Sequence, residues 1–145
     1  MFRFNSWFVF LNMGKDEKII YWINSAEEDW KTIEVLMKGK RYMYALFFAH
    51  LAIEKLFKAS WVKEHIENQP PKTHNLEFLY GETSLQLPDI FLTELRIINA
   101  WNIEGRYPDY LNKVGKGTTK QYTEEKLKMV NDLRLWLLEN LPSKK

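Results

Sequence analysis

Cysteine is absent, which excludes disulfides and thiolate metal sites and fits a reducing compartment. A large excess of one charge is absent too. Twenty-one Lys and Arg stand against nineteen Asp and Glu, unlike a strongly basic protein that coats DNA. No long apolar run is present. The longest near the start, Trp7 to Leu11, is too short to span a bilayer. It lacks a small-residue cleavage site and a basic lead, so it is a poor signal peptide. No membrane contact is expected, and a cytoplasmic location follows as the expectation. No segment alternates apolar and polar residues over five positions, which argues against strands. The three histidines, His50, His65 and His74, form no HxxxH or HExxH pair, so no metal or cofactor is expected.

What is present is helical periodicity in a chain of 145 residues, the usual size of one domain. Ile19, Ile23, Ala26, Trp30, Ile33 and Met37 recur at steps of three and four, predicting a helix over about 16–38. Gly39 is placed to end it. A second helix, about 41–67, is apolar almost all round, which predicts a central position. Pro70 and Pro71 close it. A short helix over 75–80 is expected, capped by Thr73. Pro88 and Asp89 should open the next helix, which loses regularity by Gly105. The last should start near Thr123 with Glu124 and Glu125 in its first turn. The fold class is therefore all-α, an up-and-down bundle of about five helices. It is expected over 14–141, after a loosely ordered leader 1–13, with Met13 a natural first residue of the domain.

Candidate chemistry is sparse. Gly115-Lys116-Gly117-Thr118-Thr119 is half of a phosphate-binding loop, without the earlier Gly, the strand or the following helix that the full motif needs. It reads better as a flexible basic loop. His50, Glu54 and Lys58 lie four apart on one helix face, either as a stabilising ion-pair row or as a polar stripe lining a cleft. Residues 38–72 carry seven Lys or Arg against three Glu, interleaved with Tyr42, Phe47 and Trp61. Basic charge with aromatic stacking is one way to hold single-stranded RNA.

Four segments together carry a resemblance. They are Trp22-x-x-x-Ala26-x-x-Asp29; Ala45-x-x-x-Ala49-His50-x-Ala52-x-Glu54-Lys55-x-x-Lys58-Ala59; Lys72-Thr73-His74-Asn75-Leu76; and Gly105-Arg106-Tyr107-Pro108-Asp109. In this order and spacing the chain resembles the HEPN domain family (higher eukaryotes and prokaryotes nucleotide-binding). The resemblance implies a helical bundle that often dimerises. It also implies a toxin–antitoxin-like pairing with a minimal nucleotidyltransferase. Many such proteins are metal-independent RNases carrying Arg-x4-6-His at the dimer cleft. That motif is missing. The candidate positions after Arg41 hold Leu46, Phe47 and Phe48; after Arg96 they hold Trp101, Asn102 and Ile103; after Arg106, Leu111, Asn112 and Lys113. Asn102 can hydrogen-bond but cannot shuttle a proton at neutral pH.

The site expected from these residues is a shared polar cleft formed by Arg106, Tyr107, Asp109, His74 and Lys58, with His50, Glu54 and Lys55 beside them. Arg106 would clamp a phosphate or carboxylate; alternatively, Arg106 and Asp109 lock a turn as an ion pair. Three functions fit: a non-catalytic nucleotide- or RNA-binding partner of a nucleotidyltransferase, an RNase using His74 or His50 with Arg106, and a ligand-free helical homodimer.

Overall fold

The computed structural model describes residues 13–107 and 118–142. Six helical segments occur among them: α1 Lys15–Lys38, α2 Tyr42–Glu64, α3 Leu76–Gly81, α4 Asp89–Leu92, α5 Leu95–Arg106 and α6 Lys120–Glu139. No strand occurs among the described residues, and the fold is the expected all-α up-and-down bundle. No helix among them is long and apolar enough to cross a membrane. The expected leader falls almost wholly outside the described residues.

α1 buries Ile19, Ile23, Ala26 and Ile33, the stripe that its sequence spacing draws. Asp16 and Glu17 stand in its first turn, where the helix dipole favours negative charge. Its end differs from expectation in one detail. Gly39 is the cap at φ −84°, and the left-handed position falls on Lys40 at φ 58°. Lys40 N donates to Met37 O at 3.1 Å and Arg41 N to Leu36 O at 2.8 Å, the paired bonds of a Schellman ending.

α2 is the central rod. Ala45, Ala49, Ala52, Ile53, Leu56, Phe57 and Val62 have no exposed surface. It packs on α1 along the most extensive interface and also touches α3, α5 and α6. It stops at Glu64, three residues earlier than expected. There Lys15 Nζ donates to Val62 O at 2.6 Å and also to His65 O. These bonds occupy terminal carbonyls that another turn of helix would have used. The His65 ring stacks on Trp61, with centroids 3.8 Å apart.

The later elements differ from their patterns in caps, breaks and ends. Asn75, not Thr73, caps α3: Asn75 Oδ1 accepts from Phe78 N at 3.2 Å, while Thr73 Oγ1 accepts from Asn75 N at 3.1 Å. The helix opened by Pro88 breaks at Thr93 and Glu94, giving α4 and α5 instead of one element. Phe91 and Leu95 are both buried on either side of the break, and Glu94 pairs with Lys126 of α6 at 3.0 Å. α5 keeps its helix through Gly105 to Arg106. α6 begins at Lys120 rather than Thr123, because Thr119 Oγ1 accepts from Tyr122 N at 3.1 Å and caps it. Val130, Leu133 and Leu137 then face the core.

The left-handed residue at the end of α1 gives a stability test. A side chain at positive φ costs about 1–2 kcal/mol that glycine avoids. Lys40→Gly is therefore expected to raise the free energy of unfolding by about 1 kcal/mol, read from the urea midpoint at unchanged slope.

Candidate polar site on the central helix

Two successive turns of α2 present His50, Glu54 and Lys58 on one face. All three are buried, Glu54 being only 4% exposed. Charges so placed need partners, and Glu54 has two. Its Oε2 takes the Lys58 ammonium at 3.0 Å, and its Oε1 takes His74 Nδ1 at 2.9 Å. The Lys58 ammonium also stands 5.4 Å from the centroid of the Trp22 ring on α1, within cation–π range.

His74 precedes the cap of α3 and is held at both ends by α2. Its imidazole meets Glu54, and its main-chain carbonyl lies 3.0 Å from His50 Nε2. A carbonyl accepts only, so His50 carries its proton on Nε2. The other ring nitrogen of His50 lies 3.8 Å from Glu54 Oε1, beyond hydrogen-bond reach. Burial pushes His50 down to about 4, against a smaller upward pull from the Glu54 charge and the His74 carbonyl. α3 is fastened to α5 by Asn99, whose Oδ1 accepts from Leu76 N at 2.8 Å and whose Nδ2 donates to Asn75 Oδ1 at 3.0 Å.

The far side of His74 meets α5. Arg106 Nη2 lies 3.3 Å from His74 Nε2, and Arg106 Nε donates to Asn102 Oδ1 at 3.2 Å. The guanidinium stands 5.4 Å from the Phe47 ring centroid. Gly105 permits this approach: a Cβ there would sit 2.5 Å from Phe47 Cδ1. A carboxylate likewise only accepts, so the neutral His74 ring carries its proton on Nδ1 and turns an Nε2 lone pair toward Arg106. The series Lys58, Glu54, His74, Arg106, Asn102 is thus continuous. His74 and Arg106 are exposed at its outer end, and Asn102 Nδ2 is buried without a hydrogen-bond partner.

The structure brings His50, Glu54, Lys58, His74 and Arg106 together. Lys55 goes elsewhere. It points to α1, where its ammonium pairs with Asp29 at 2.7 Å. Burial raises the Asp29 carboxyl above its ordinary range, opposed by that lysine. Tyr107 is exposed at the end of α5, with its N–H on Ile103 O at 3.2 Å, and does not join the cluster. Asp109, and with it the Arg106–Asp109 lock, lies outside the described residues. So does most of the Gly115–Thr119 loop, of which Thr119 is the α6 cap. Sequence reasoning missed Asn99 as a brace and Phe47 as the seat of Arg106. Neither carries a local signal, since both act across helix packing. No group of three or more metal-ligating side chains occurs among the described residues.

A family model described as HEPN domain matches residues 19–141. The match covers most of the chain, and the protein belongs to the HEPN domain family. No curated protein and no solved structure matches.

His50 makes a pH test possible. Above about pH 6.5 the folded and unfolded chains both hold it neutral. Between that value and about 4 the unfolded chain takes up a proton that the folded chain refuses. Stability is therefore full above pH 6.5 and falls as pH drops, by up to about 3 kcal/mol from this residue. His50→Gln, which keeps a donor for the His74 carbonyl, is expected to show a shallower decline between pH 6.5 and 4.5 in urea denaturation. An equal decline in both proteins would contradict the assignment.

Proposed function

We propose that this HEPN protein binds the phosphate groups of a nucleotide or RNA at the His74–Arg106 surface. In this reading it acts without catalysis, as a homodimer, in a cytoplasmic toxin–antitoxin-like pair with a minimal nucleotidyltransferase. The observation that carries the binding reading is the seating of Arg106. Asn102 and His74 hold its guanidinium over Phe47, leaving N–H groups at the surface for a phosphate. Exposed Ile103 and Tyr107 beside the site supply apolar surface that a second copy would cover. The missing Arg-x4-6-His motif favours binding over the RNase activity common in the family.

One observation favours a second reading, a divergent metal-independent RNase. Glu54 fixes the His74 ring so that Nε2 is the free base beside Arg106. A base so oriented can accept the 2′-hydroxyl proton of RNA while Arg106 offsets charge on the phosphate oxygens.

Calorimetric titration with ATP and with a short single-stranded RNA separates these. Saturable binding that weakens at least tenfold in Arg106→Ala is the expected result, and flat isotherms with both ligands would overturn the proposal. If the wild type cleaves the same RNA in EDTA and His74→Ala does not, the RNase reading replaces the binding one. Intact RNA with wild-type protein removes it.

A further inference from the structure

A cavity of about 540 Å³ lies on the other side of α5 from Arg106. Leu46 of α2, Ile97, Ala100 and Trp101 of α5, and Tyr122 of α6 give it apolar and aromatic walls. That volume and lining fall in the range of small-molecule sites. Thr93 and Thr118 add hydroxyls, and its charged groups are two of opposite sign, Arg96 and Glu104, both on α5. Eight residues of helix separate them by about 12 Å along the axis. Neither makes an ion pair or hydrogen bond within the described structure, although seven carboxylates elsewhere, Asp29, Glu27 and Glu94 among them, have cationic partners.

Glu104 is the informative member. It is half-buried against the cavity wall, and loss of hydration alone raises its carboxyl above the ordinary range. A partly desolvated carboxylate with no partner among the described residues gains from a ligand that brings N–H donors. A planar amidine or amino-aromatic group matches its two oxygens with two parallel hydrogen bonds. The aromatic body of such a ligand would lie against Trp101 and Tyr122.

We propose that this cavity is a second ligand site, specific for a small aromatic molecule bearing an amidino or amino group that pairs with Glu104. It is separate from the Arg106 surface, and neither site depends on the other.

Benzamidine is the probe, and 1H–15N chemical-shift mapping of the full chain is the readout. Saturable shifts confined to residues 93–104 and 118–122 are expected. Benzamide, of the same shape without the charge, should bind at least tenfold more weakly. Glu104→Gln, at a half-exposed position that leaves the core intact, should weaken benzamidine to a similar degree while keeping the wild-type spectrum elsewhere. Absence of saturable shifts, shifts centred on other residues, or equal affinity in Glu104→Gln would each overturn the proposal.

Discussion

A carboxylate removed from water must recover its hydration energy from neighbouring charges and donors, or it does not stay ionised. Glu54 sits in that position on the central helix, and the polar site is organised around satisfying it. Lys58 answers one oxygen from the next turn of the same helix, at a spacing that costs no chain entropy beyond the helix itself. His74 answers the other from a segment twenty residues on. That second contact is the one with structural consequences. It ties the segment before α3 to α2, and His74 in turn meets Arg106 at the end of α5. Removing Glu54 would leave Lys58 as a buried charge without its partner, a situation that typically costs about 3–5 kcal/mol.

The apolar frame makes this arrangement possible by crowding α2 on every side. α1, α5 and α6 cover its apolar faces, and the His50–Glu54–Lys58 face meets the segment before α3 through polar contacts. The fit is close there. Gly105 lets the last turn of α5 lie against Phe47, and a methyl group at that position would force the two helices apart and carry Arg106 away from His74. Asn99 and Asn102, both on α5, fix the two neighbours of that contact, one through the α3 cap and one through the guanidinium. Packing and polar geometry are therefore one problem at this end of the bundle.

The long helices were legible because their information is local and repeated. Ile19, Ile23, Ala26 and Ile33 recur at helical spacing over about four turns, and the all-round apolar character of α2 announced a central rod. Their ends were less legible because each is decided from outside the element. Lys15 reaches across from α1 to close α2, and Thr119 moves the start of α6 forward by capping it. The His50–Glu54–Lys58 row was readable from spacing of four. The direction of Lys55 was not, since one position along a helix turns a side chain by about 100° and only the location of Asp29 says what it meets. The His74–Arg106 contact joins residues thirty-two apart and left no periodic trace; a family resemblance brought the two together before geometry did. Glu104 went unnoticed because a lone acid on a helix looks solvated until the cavity beside it is seen.

Glu54 holds the His74 ring with its proton on Nδ1 and its lone pair toward Arg106. Long-range 1H–15N correlation of the imidazole nitrogens at neutral pH reads this directly. A protonated Nδ1 and a bare Nε2 are expected for His74 in the wild type, with that preference lost in Glu54→Gln. A His74 ring protonated on Nε2, or a tautomer unaffected by the substitution, would contradict it.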